Sequence, residues 1–369
     1  MTMTYVLNID WLALYCMYKP RALEQWSPEE EMTGDLFHGN YRVKLQQCGT
    51  RQFSRLWSIA IPNAEDGGWE DFAEVQSHPY DGNVLPKQAI IVRFVNRVLY
   101  MDEVWDLIAD FLGTCRFDFV GISRIDVCAD FNQFATIDPL ALIEGFASKK
   151  FRHIGRGVGA LYFDHGVKGG EYGVHYTGMS FGTHASDARV YLYNKSFELA
   201  VEKDKPYIRD HWRLAGLDVR NVWRLEISIK SKATKFHDRT TKTDITIEPK
   251  QIANADGLDK VFHTFVRKLF SFVKNRPDIK NITREPRIIL FDDSAPFFDR
   301  CIIRNTSCSS RMERILIKAL YQMAERYRGK DIRDLECLSQ TFAVELAEST
   351  GLSHWLSDKV GLWEKPNHK

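Results

Sequence analysis

Residues 187–200, DARVYLYNKSFELA, decide how this chain is read. A two-residue period puts Arg189, Tyr191, Tyr193 and Lys195 on one side of a strand and Val190, Leu192 and Asn194 on the other. Two other segments repeat the pattern. In SRIDVCAD, residues 123–130, Arg124, Asp126, Cys128 and Asp130 share a face against Ile125, Val127 and Ala129. In WRLEISIK, residues 223–230, Arg224, Glu226, Ser228 and Lys230 oppose Trp223, Leu225, Ile227 and Ile229. Each strand has one oily side for packing helices and one side of charge, phenol and hydroxyl. That alternation predicts an α+β fold: a central antiparallel sheet, one face polar and the other covered by helices.

A solvated sheet face gives the same alternation, but it favours Thr, Lys, Glu and Gln. Here an arginine stands two residues before an acid twice, as Arg124-Ile-Asp126 and Arg224-Leu-Glu226. Carboxylates on neighbouring strands, each beside an arginine, suit a hard divalent cation together with a phosphate. Asp126 and Asp130 lie about 13 Å apart along an extended strand, so Asp126 with Glu226 is the better pair and Asp130 the outlying member. Mg²⁺ or Mn²⁺ is the expected ion, because no sulfur or imidazole ligands cluster and the 11 histidines include no His-x-His pair. A tyrosine such as Tyr193 is a poor nucleophile at its ordinary pKa near 10. A lysine beside it and a cation on the phosphate under attack would both favour its anion.

Outward from these strands, YRVKLQQCG, RLWSIAIP and QAIIVRFVNR read as further strands, and YMDEVWDLIADFLGTC as a helix closed by Gly113. The glycines at 155, 157 and 159 mimic a phosphate loop. They lack the Gly-Lys-Ser/Thr ending and a following apolar helix, so a hairpin is expected and no ATP site. Residues 203–221 read as a linker. From about residue 257 the pattern turns helical, with Val261, Phe262, Phe265, Leu269 and Phe272 as an apolar stripe among lysines and arginines. The expected organisation is a sheet-based domain over 1–250, with an N-terminal subdomain over 1–118, and a helical, basic region over 251–369.

The net charge of +1 conceals an imbalance: residues 1–118 hold 10 Lys+Arg against 17 Asp+Glu, net −7, and residues 260–328 hold 15 against 7, net +8. A basic segment of that kind suits a polyanion. With 44% hydrophobic residues the chain can build a sizeable core, and no apolar run approaches the roughly 18 residues of a membrane span. Seven cysteines without a Cys-x-x-Cys fit neither a disulfide framework nor a zinc knuckle. They fit a reducing cytoplasm, and the first residues carry no signal-peptide pattern.

Taken in order, GISRIDVCADF, SFGTHASDARVYLYNKSFE and VWRLEISIK resemble the replication initiation factor family. That family comprises rolling-circle plasmid initiators and the related relaxases of conjugative elements. The likeness runs from about 119 to 232. It implies that Tyr193 is a DNA-attacking nucleophile, accompanied by Lys195, Glu198 and Arg189, and that Asp126, Asp130 and Glu226 bind or flank a divalent metal. Tyr191 and Arg224 would line the DNA site. His184 stands where relatives carry an arginine in the Gly-x-Arg-x-Ser loop. The implied reaction breaks one strand at an origin, single-stranded or extruded, leaving a 5′-phosphotyrosine and a free 3′-hydroxyl. Its implied partners are origin DNA, a host helicase and polymerase, and a second copy of the chain, with no membrane. The basic C-terminal helices, through Arg311, Arg314 and Lys318, would read duplex DNA.

Two other readings use the same residues. A non-catalytic protein could grip DNA on stacking tyrosines, although Asp126 and Glu226 would then repel phosphate. A metal-dependent nuclease could use water in place of Tyr193.

Overall fold

The computed structural model of the protein describes residues 3–18, 36–63, 67–80, 85–155, 159–168, 171–201, 204–276, 285–301, 340–345 and 347–348. Two long strands, β1 (Tyr5–Tyr18) and β7 (Phe117–Phe131), pair antiparallel from end to end. Three register shifts interrupt their ladder, the first between Ile9 and Trp11. Around this pair grows an eleven-stranded antiparallel sheet in two wings.

One wing meets the outer half of β1 through β6 (Ala89–Phe94) and continues outward. Beyond β6 come β5 (Trp69–Pro79), β4 (Phe53–Pro62), β3 (Tyr41–Leu45) and β2 (Leu36–His38). Its apolar face closes on α1 (Val104–Thr114), where the Phe111 ring meets Tyr41, Phe72 and Phe94. The other wing meets the inner half of β7 through β12 (Trp223–Lys230), then β11 (Ala188–Asn194), β10 (Glu171–Phe181) and β9 (Gly159–Lys168). Of the three spaced glycines, Gly159 begins β9, which pairs with β10 as a β-hairpin.

The second wing carries the predicted two faces. Val127, Val190, Leu192, Leu225 and Ile227 are fully buried on the apolar side. They belong to one core with α6 (Ala255–Leu269), which buries Val261, Phe262 and Phe265. Asn254 starts α6 by accepting a hydrogen bond from the Gly257 amide at 2.7 Å, a cap of the usual N-terminal kind. Each such fully buried side chain stabilises the fold by roughly 1.5–3 kcal/mol. The chain between β7 and β9 supplies α2 (Pro139–Ala147) and β8 (Phe151–His153), and Phe146 of α2 joins Phe181 at the same core.

Two expectations change. Residues 203–221 are not merely a linker: they contain α4 (Pro206–Leu214), following the short α3 (Lys195–Val201). Only Ile208 and Trp212, four apart, are buried on this charged helix, packing with Leu199, Leu217 and Val222. So sparse an apolar stripe hides in a polar sequence. The boundary near 250 also moves. A short helix, α5 (Pro249–Ile252), leads into α6, and α6 is part of the sheet's core, so the first compact unit runs to Cys301. The rest, residues 302–369, forms a second unit, of which residues 340–345 and 347–348 are described, as helix.

Candidate active site

On the polar face the strand order is β7, β12, β11, which places Glu226 between the two strands that carry Asp126 and Tyr193. Tyr193 stands opposite Arg224, Tyr191 opposite Glu226, Arg224 opposite Asp130 and Glu226 opposite Cys128. The half-buried Tyr193 ring slants one register position along, and its hydroxyl donates to Glu226 Oε2 at 2.8 Å. Lys195, the first residue of α3, is buried, with its ammonium 5.4 Å from the Tyr193 ring centroid and in an ion pair with Glu198. Four expected residues, Tyr193, Glu226, Lys195 and Glu198, are thus brought together.

The charges around this group set its protonation. Burial pushes the Tyr193 phenol well above its ordinary value, and the adjoining Glu226 pushes the same way. Burial also lifts the Glu226 carboxyl from 4.5 to about 7, helped by the negative charges of Asp10 and Asp126 and opposed by Arg224. Asp126 is raised too, by burial, although Arg124 holds it through two hydrogen bonds that work the other way. A carboxyl near 7 within hydrogen-bond reach of a phenol is placed to take its proton at physiological pH.

Arg224 and Asp130 do something else. Sequence reading gave Arg224 a DNA contact and Asp130 a metal, but both side chains are completely buried. Arg224 donates to Asp130 twice, at 2.6 and 2.7 Å, to the Tyr100 hydroxyl at 2.9 Å, and to Asp10. Trp212 of α4 donates to Asp130 Oδ2 at 2.7 Å. Four of the five guanidinium N–H groups and both carboxylate oxygens are engaged inside the protein, and burial keeps the pair from the surface where DNA or a metal would meet them. They anchor the sheet beneath α4 instead.

Asp10 was the residue that sequence reading missed. It falls in the register shift between Ile9 and Trp11, the kind of bulge that re-aims a side chain. Burial works to raise its carboxyl, but Arg224, then Lys195, hold it below the usual range. Its signal in the sequence was an acid in the apolar run VLNIDWLAL. Tyr100, Asn96 and Trp212 join the same network and had no local signal. Asn96 donates to the Asp10 carbonyl at 2.7 Å and accepts from Tyr207 at 2.7 Å.

The remaining predicted residues line the open side. Arg189 stacks on Tyr191 at 4.2 Å, and its guanidinium lies 3.3 Å from the exposed His184 ring and 3.4 Å from the Tyr162 hydroxyl. Lys230 donates to the His184 carbonyl and ties that loop to β12. Gly178 lies opposite Tyr193, and a Cβ there would come within 2.5 Å of the Leu192 carbonyl and 3.0 Å of the Tyr193 Cβ. Only glycine permits that approach. Arg311, Arg314 and Lys318 lie outside the described residues.

Among the described residues no three His, Cys, Asp or Glu side chains gather as a metal cage. Glu226 and Asp126, the latter buried with both oxygens accepting from Arg124, are the remaining acids of the expected set. Two carboxylates, completed by water and substrate phosphate, are a donor set that Mg²⁺ or Mn²⁺ accepts. Crowding of Asp10, Asp126 and Glu226 is also the repulsion a cation relieves.

No family model matches the chain, and no curated protein sequence matches it. Among solved structures, the rolling circle replication initiator protein from Geobacillus stearothermophilus is similar over 77% of this chain and 92% of its own. The sequence identity is 14% and the TM-score 0.45. No helix among the described residues is long and apolar enough to cross a membrane.

Proposed function

We propose that this protein breaks and rejoins one strand of DNA at a replication origin through a covalent bond to Tyr193. The observation that carries the reading is the 2.8 Å hydrogen bond from the Tyr193 hydroxyl to Glu226, a carboxyl lifted to about 7, with the Lys195 ammonium over the phenol. A strand merely gripping DNA has no use for a base aimed at a tyrosine.

In the forward step Glu226 takes the phenolic proton and the Tyr193 oxygen forms a bond to phosphorus. The bond from phosphorus to the 3′-oxygen breaks, and the departing 3′-oxygen takes up a proton from solvent water, leaving a 5′-phosphotyrosine and a 3′-hydroxyl. Lys195 favours the developing phenolate. Arg124 and Arg189, on the open side, suit the non-bridging phosphate oxygens. Rejoining is the reverse, with the 3′-hydroxyl attacking the phosphotyrosine, so the energy of the broken bond is kept and no nucleotide is required. Asp126 and Glu226 would hold a divalent cation, which supplies charge neutralisation at the phosphate when bound. The substrate strand must be unpaired to reach this face, as single-stranded or extruded DNA is.

The test is incubation of an end-labelled origin strand with protein and Mn²⁺ on denaturing gels. A protein–DNA adduct lost in Tyr193→Phe supports the proposal. Cleavage without an adduct makes the protein a nuclease with water as nucleophile, and binding without cleavage makes it a gripping protein.

A further inference from the structure

The polar face continues past the reaction site. Directly opposed residues trace one row across five strands: Glu74 on β5, Arg93 on β6, Ala13 on β1, Arg124 on β7 and Lys230 on β12. Ala13 leaves the middle of the row low, and Trp11, two residues away on the same face, occupies the space. Arg93 reaches the Trp11 ring from β6 at 4.8 Å and Arg124 reaches it from β7 at 4.7 Å. Glu74 and Asp126 hold the two guanidiniums in place, yet those side chains stay 34% and 40% exposed. Arg124 lies within electrostatic reach of Glu226, and the Asp126 that it grips stands on the strand paired with that of Glu226, so the row adjoins the reaction site.

A solvated face of scattered charge needs no such order. Guanidiniums about 10 Å apart, two strand spacings, with an indole between them, present cations to successive phosphates and flat surfaces to unpaired bases. We infer that Arg124, Trp11 and Arg93 form a track that carries single-stranded DNA away from Tyr193 across β7 and β1 to β6. This rests on the proposed strand-breaking reaction and adds the path of the flanking strand.

Fluorescence anisotropy on the full chain, with a labelled oligothymidine of about 25 nucleotides and salt from about 50 to about 200 mM, tests the track. Arg93→Ala weakens binding about five- to tenfold and lowers the slope of log affinity against log salt by about 0.7, one phosphate contact to a single strand. Glu74→Gln, which frees Arg93 without removing a cation, tightens binding and guards against a misfolded alanine variant. Unchanged affinity and slope in both variants overturn the track. So does an equal loss for Arg93→Ala on blunt duplex of the same length, which would mean unspecific charge. Adduct formation by wild-type protein is scored on the same preparation. An adduct with a silent Arg93 sinks the track alone, whereas absence of both binding and adduct sinks the reaction with it.

Discussion

Replacing Glu226 by Gln should make the protein more stable and less active, and the two effects have one cause. The carboxyl titrates at 4.5 when unfolded and about 7 when folded. Between those values the folded state holds a proton that the unfolded state has lost, so stability falls as pH rises across the window. Below about pH 4.5 Glu226 costs nothing. Above about 7 its ionised form is fully opposed by burial and by Asp10 and Asp126. At about 1.4 kcal/mol per pH unit, the gap between 4.5 and about 7 amounts to about 3 kcal/mol. Gln keeps the shape and an oxygen to accept the Tyr193 hydroxyl, but carries no charge. Urea denaturation at pH 8 should show Glu226→Gln more stable than wild type by up to about 3 kcal/mol, with the advantage largely gone at pH 4.5. Strand breakage by the same variant should fall about 10²- to 10⁴-fold, the usual contribution of a general base. A variant less stable than wild type at pH 8, or an advantage identical at both pH values, would refute the charge account of this site.

Strand breakage by wild type at limiting Mn²⁺ should rise with pH through about 7, as Glu226 loses its proton. Saturating Mn²⁺ should move that midpoint lower, because a cation on the carboxylate favours the ionised form; a fixed midpoint in a Mn²⁺ titration places the ion elsewhere. Arg224→Met strands Asp130 and Asp10 without their cation, and denaturant midpoints should report a loss of about 3–5 kcal/mol. A loss below about 1 kcal/mol would mean that the buried cluster is not held as described. Gly178→Val drives a side chain into Leu192 and Tyr193, so strand breakage should drop more than DNA binding does, measured side by side by gel and anisotropy.

Much of this was legible in the sequence because sheet faces have a period of two. The alternation in residues 123–130, 187–194 and 223–230 separated core from polar side chains correctly, and it put Tyr193 and Glu226 on the same side. Strand order was not legible. That β12 lies between β7 and β11 depends on long-range pairing, and this order lets one carboxylate face a tyrosine on one side and an aspartate on the other. Nor does a face assignment tell an open position from a covered one. Arg224 and Asp130 share the polar side with Glu226, but α4 and Trp212 close over their end of it. Asp10 escaped because its direction comes from a bulge, and a bulge breaks the period that the reading relies on.

The central claim is that one phenol captures a DNA phosphorus with a carboxyl on the neighbouring strand as its base. Tandem mass spectrometry of the covalent product, after protease and nuclease digestion, addresses it most directly. The account predicts a phosphonucleotide on the peptide containing Tyr193, and no adduct in Tyr193→Phe. Attachment at Tyr191, or strand breakage at full rate by Tyr193→Phe, would contradict it.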